Sequence, residues 1–113
     1  YGGAYCVMNS RALGGDYVYA WPTAEIAVMG PDGAVAILYR KELAESPEPD
    51  KLKKELVKKY REEIANPYLA EEKGYLDEVI DPAETRVKLI RAIESLENKH
   101  VLRPQRKHGN IPL

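Results

Sequence analysis

Tyr1-Gly2-Gly3-Ala4-Tyr5 and, further on, Tyr19-Ala20-Trp21-Pro22-Thr23-Ala24-Glu25-Ile26-Ala27-Val28-Met29-Gly30 decide how this chain reads. Two adjacent glycines followed by alanine let the backbone turn sharply and approach a ligand, because no side chain blocks the way. Tyr5 to Ser10 holds no breaker, so a short helix is expected from about residue 4. The amides of Gly3 and Ala4 would then lie at a helix N-terminus without intrahelical partners, where an oxyanion can be held. Taken alone, a Gly-Gly-Ala turn reads as structural first.

Outward from that turn, residues 1–44 are rich in Gly and Ala and poor in charge, which suits tight packing. Leu13-Gly14-Gly15-Asp16 is a turn, and residues 16–21 read as a strand ended by Pro22. Residues 24–29 are almost continuously apolar and are expected to form a second strand, buried on both faces. Gly30-Pro31-Asp32-Gly33 is a second turn. Pro31 is placed to start a helix, from about residue 32, that covers Ala34 to Arg40. Two strands and then a helix make a ββα unit.

The second zone is helical and charged. Ser46-Pro47-Glu48-Pro49 breaks the chain, and Asp50 is expected to cap a helix over 50–65. Its buried stripe is Leu52, Leu56, Val57, Tyr60 and Ile64, and its Lys51-to-Arg61 charges form a wet face. Asn66-Pro67 stops this helix, and a short one over 67–73 closes at Gly74. Residues 75–80 read as a strand. Asp81-Pro82-Ala83-Glu84 then opens a last helix over 82–98, with Asp81 as cap and Glu84 reaching back to it. Val87, Ile90, Ile93 and Leu96 are its expected inner face.

Composition sets outer limits. At 113 residues the chain suits one modest domain with a small core. Hydrophobic residues make up 44% and charged ones 31%, ordinary for a soluble globular protein. A net charge of −1 gives no attraction to nucleic acid or to an anionic membrane surface. No apolar run reaches the length of a membrane span. One cysteine cannot form an internal disulfide, so a reducing cytoplasm is the expected setting.

The Gly-Gly-Ala-Tyr opening, the string Tyr19 to Gly30 and the terminal Arg106-Lys107-His108-Gly109-Asn110-Ile111-Pro112-Leu113 together resemble one family across the full chain. These are the carboxyltransferase subunits of biotin-dependent acyl-CoA carboxylases, the propionyl-CoA carboxylase beta type, and the alpha subunits of methylmalonyl-CoA decarboxylases. The resemblance implies an α/β fold, a partial crotonase-like ββα superhelix with additional C-terminal helices. It implies that residues 1–113 are the C-terminal portion of the carboxyltransferase C-domain, a piece of a longer chain and not active alone. The start at Tyr1, with no strand before the turn, leads to the same expectation.

The activity implied is transfer of a carboxyl group between carboxybiotin and the α carbon of a short-chain acyl-CoA. Biotin would ride on a separate biotin carboxyl carrier protein, and the full-length subunit would form a homo-oligomer. In the family, paired backbone amides stabilise the charge that develops on the thioester and on the biotin ureido oxygen. Gly3 and Ala4 match the pair serving biotin; Gly2 supports them, and Tyr5 and Cys6 shape the pocket. Three alternatives stay open: the decarboxylase alpha subunit, a biotin-independent crotonase-like hydratase or isomerase, and a helical interaction module.

Other residues have plainer readings. Cys6 reads as a small hydrophobe, with no histidine nearby in sequence to activate it. Glu25, inside an apolar stretch, must be paired or protonated, and a structural hydrogen bond suits it better than general-acid work. Trp21 reads as a packing aromatic that could also flank a planar ligand. His100 and His108 lack partners at metal-ligand spacing, so no metal is expected. Arg103, Arg106 and Lys107 read as a solvated or inter-subunit surface, with CoA phosphates as the rival.

Overall fold

The structure, a computed structural model, describes residues 1–102 and Gly109. Its elements follow the punctuation of the sequence. Helix α1 spans Gly2–Val7, β1 Tyr19–Ala20, α2 Pro31–Leu38, α3 Arg40–Glu45 and α4 Pro49–Glu63. Helix α5 spans Pro67–Glu72, β2 Glu78–Val79 and α6 Thr85–Ser95. Short 3₁₀ turns at Arg11–Leu13 and Pro82–Glu84 complete the path.

Proline sets several helix starts. Pro31, Pro49 and Pro67 each occupy the first position of α2, α4 and α5, where the missing N–H costs nothing. Asn66 caps α5 by accepting from the Leu69 amide at 2.9 Å. Gly74 follows α5 with φ +75, a conformation that suits glycine. Asp81 accepts from the Ala83 amide at 2.8 Å, as a cap should. At α4 the cap position belongs to Glu48, and Asp50 falls inside the first turn, where its charge meets the helix dipole instead.

Strands β1 and β2 pair in parallel, Tyr19 opposite Glu78 and Ala20 opposite Val79. Backbone bonds extend the pairing at both ends, from Asp77 to the Val18 carbonyl at 2.9 Å and from Ile80 to the Ala20 carbonyl at 2.8 Å. Val18, Ala70 and Leu76 form the core beside this sheet, with Ala20, Ile26 and Val79 packed on it. A second contact joins α2 to α4, burying Ala34, Val35 and Val57. The radius of gyration is 19.0 Å, against about 13 Å for a compact domain of this length. Both cores are thin.

Further expectations need correction. Residues 24–29 are not a strand and are not buried on both faces: Val28 is 84% exposed and Ile26 half-buried. A strand needs a neighbour for its backbone groups, and among the described residues none lies alongside. The ββα unit is therefore only partly formed here. The helix expected from about residue 4 starts two residues earlier, at Gly2.

Helix α6 presents a different face from the one expected. Val87, Ile90 and Ile93 are exposed, Ile93 by 69%, while Ala92 is buried. Polar pairs on the 85–88–92–95 side hold the helix. Trp21 Nε1 donates to Thr85 Oγ1 at 2.9 Å, Lys88 Nζ reaches both Glu78 oxygens at 2.6 Å, and the Tyr17 and Ser95 hydroxyls meet at 2.9 Å. Three specific side-chain bonds outweigh an apolar stripe that stands exposed among the described residues.

Candidate functional site

The turn at residues 1–4 is built by glycine. Gly2 takes φ +52, and a Cβ there would stand 3.1 Å from the Val28 carbonyl oxygen. Both facts suit only a residue without a side chain. The Gly2 amide donates to the Ala27 carbonyl at 3.2 Å, fastening the start of α1 to the 24–29 segment. Gly3 and Ala4 come next, exposed, and their amides meet no acceptor among the described residues. Open space surrounds the place where a Gly3 side chain would stand.

The segment beneath the turn is itself held. The Tyr1 hydroxyl donates to Glu25, and the Arg61 guanidinium of α4 forms an ion pair with the other Glu25 oxygen at 3.1 Å. The Tyr1 ring lies over Gly30, where a Cβ would meet it at 3.6 Å. Glu25 is thus paired, as its apolar surroundings in the sequence demanded, and it stands at the surface. The sequence reading missed Arg61, which looked like one more charge on the wet face of α4. The need of Glu25 for a partner was the one signal that could have found it.

Tyr5 lines an open cleft of about 460 Å³ together with Met8, Trp21, Thr23, Thr85 and Leu89. Its hydroxyl reaches the Tyr75 carbonyl at 3.4 Å. Burial, then the neighbouring Cys6 and Tyr75, push the Tyr5 pKa above the ordinary phenol value. Burial and the nearby Tyr17 do the same to Tyr19, which lines the same cleft. Trp21, read as a core aromatic, is half exposed on the cleft rim and tied to Thr85.

The structure brings Gly2, Gly3, Ala4, Tyr5 and Cys6 onto one helix but not into one cavity. Gly3, Ala4 and Cys6 are not on the cleft wall. Cys6 is a free, half-buried thiol whose carbonyl accepts from Ser10 Oγ at 3.0 Å. Among the described residues no set of three or more His, Cys, Asp or Glu side chains could hold a metal ion, and no helix is long and apolar enough to cross a membrane. Arg103, Arg106, Lys107 and His108 lie outside the described residues.

Comparison with known proteins places the chain. Residues 1–111 match the family model of the carboxyl transferase domain. A propionyl-CoA carboxylase carboxyltransferase subunit of Haloferax mediterranei is 58% identical over 113 residues, all of this chain and 22% of that protein. A biotin-dependent acetyl-/propionyl-coenzyme A carboxylase beta5 subunit of Mycobacterium leprae is 50% identical over 117 residues, again all of this chain and 21% of that one. The chain therefore spans about a fifth of the length of the curated relatives it matches. A crystal structure of transcarboxylase 12S, described with a hexamer assembly and with methylmalonyl-coenzyme A and methylmalonic acid bound, superimposes with a TM-score of 0.86. It is 47% identical and covers 100% of this chain and 22% of its own. The partial α/β crotonase-like fold expected from the sequence is the fold of this neighbour. From the match over residues 1–111 and the agreement in fold with this neighbour, the chain belongs to the carboxyl transferase domain family.

Proposed function

We propose that this chain is the C-terminal portion of the C-domain of an acyl-CoA carboxyltransferase acting on short-chain substrates of the propionyl-CoA/methylmalonyl-CoA type. The observation that carries the reading is the pair of exposed amides at Gly3 and Ala4, fixed in direction by α1 and without acceptors among the described residues. Two adjacent neutral donors suit an oxygen that becomes anionic during the reaction, and removing one such donor typically costs about 2.7–4 kcal/mol. The donor set fits a ureido oxygen: it is neutral, and no side chain of Gly3 stands in the approach.

Carboxybiotin, when bound, supplies the carboxyl group that is exchanged with the α carbon of the acyl-CoA. The chain's own contribution is confined to binding and orientation. Gly3 and Ala4 donate hydrogen bonds, Gly2 gives the turn its left-handed entry, and Tyr5 lines the neighbouring cleft, with Cys6 behind it on α1. No nucleophilic role falls to Cys6, whose sulfur makes no hydrogen bond among the described residues that would activate it. The hydratase reading loses support because Glu25 is engaged by Arg61 and Tyr1 and is not on the cleft wall.

The partners that follow are an acyl-CoA, a biotin carboxyl carrier protein and further copies of the complete subunit in a homo-oligomer. The single cysteine suits a reducing cytoplasm. Ala4→Pro in the complete subunit tests the reading, because it removes one amide donor without changing charge. Carboxyl transfer should fall by about a hundred-fold or more, with acyl-CoA binding little changed. Full transfer activity in a folded Ala4→Pro protein would refute the amide assignment.

A further inference from the structure

We propose that Glu25 and Arg61 are positioning residues that set where the Gly3 and Ala4 amides point; the inference rests on the amide reading above. Two bonds fasten the entry of α1, and both end on one short stretch of chain. The Gly2 amide binds the Ala27 carbonyl at 3.2 Å, and the Tyr1 hydroxyl binds Glu25. Among the described residues that stretch pairs in no sheet, and two side-chain anchors help to hold it. Ile26 packs on the core beside Val18 and Leu76, and Glu25 is held by Arg61, in the last turn of α4. The direction of the amides is thus referred, through one ion pair, to the fifteen-residue helix α4.

An ion pair this exposed adds little to global stability. Transition-state stabilisation is far more sensitive, since a misplacement of about 1 Å can lower a rate a hundred-fold. Stability and catalysis should therefore separate in variants of this pair. A role confined to folding would move both together.

The test is steady-state kinetics of the complete subunit. Glu25→Ala and Arg61→Ala should each lower kcat about tenfold, with the KM for acyl-CoA and the thermal midpoint nearly unchanged. The double variant should be no slower than either single one, because both act through one contact. Arg61→Lys, which keeps a cation, should recover most of the rate. Tyr1→Phe, which keeps the ring on Gly30, should show a smaller loss of the same kind. Wild-type kcat in both alanine variants, additive losses in the double variant, or losses matched by falling stability would each overturn the proposal. Ala4→Pro, measured alongside, separates the two ideas. If it is impaired while the Glu25 and Arg61 variants are normal, only the positioning role falls. If it is fully active, the amide reading falls and takes the positioning role with it.

Discussion

Val18 and Asp77 hold one another twice: the Val18 amide donates to the Asp77 carboxylate at 2.7 Å, and the Asp77 amide donates to the Val18 carbonyl at 2.9 Å. The same carboxylate takes the guanidinium of Arg11. A single side chain therefore replaces one rung of the parallel ladder and ties the loop after α1 to it. Asp77→Ala leaves the Val18 amide unpaired next to the core, which should destabilise the fold by about 1–3 kcal/mol. Chemical denaturation would show it as a lower midpoint. Asp77→Asn should recover part of the loss, because its carbonyl oxygen can still accept from Val18.

Alkaline pH should loosen the contact between α6 and the sheet. The hydrogen bond to Glu78 raises the pKa of Lys88 above its ordinary 10.5, and burial raises those of Tyr19 and Tyr5 above 10.0. A raised folded-state pKa gives stability that is full below the unfolded value and lost as pH climbs through the folded one. Unfolding midpoints should therefore hold steady up to about pH 9.5 and fall above pH 10. Lys88→Met and Tyr19→Phe should each make that fall shallower.

Gly2 and Gly3 are neighbours with opposite tolerance. Gly2→Ala forces a side chain into a left-handed backbone and against the Val28 carbonyl, a change expected to destabilise by about 1–3 kcal/mol. Gly3 has ordinary helical space around it, and Gly3→Ala should be neutral or add up to about 1 kcal/mol through helix propensity. Thermal melts of the two variants side by side would check the contrast.

Isolated from its covering surfaces, the chain should self-associate through α6. Val87, Ile90 and Ile93 stand together on its outer side, all exposed, and patches of this kind favour association. Sedimentation across a wide concentration range should show oligomers, and Ile93→Glu should reduce them. A compact monomer at all concentrations would contradict this.

Much of this was legible in the residues themselves. Proline, asparagine and aspartate mark the starts of α4, α5 and the turn before α6 because their preferences are local, satisfied within three or four positions. The glycine turn was legible for the same reason. What failed were questions decided at a distance. Residues 24–29 have a strand's composition but no strand beside them among the described residues, and the burial of α6 is chosen by Thr85, Lys88 and Ser95 meeting distant partners. Arg61 escaped notice because nothing near it in sequence distinguishes it from its neighbouring lysines. The resemblance supplied roles that no local pattern could.

The two-residue parallel sheet has a kinetic consequence. Its flanking residues Val18 and Asp77 are 59 positions apart, and closing a flexible loop of that size carries an entropic penalty of about 3–4 kcal/mol. A few backbone hydrogen bonds, each contributing about 0.5–1.5 kcal/mol net, barely match that penalty. The pairing should therefore come last, after α2, α4 and α5 have shortened the span between its ends. The glycine turn, lodged upstream of β1, would then be fully braced only at the end of folding, when the far part of the chain has arrived.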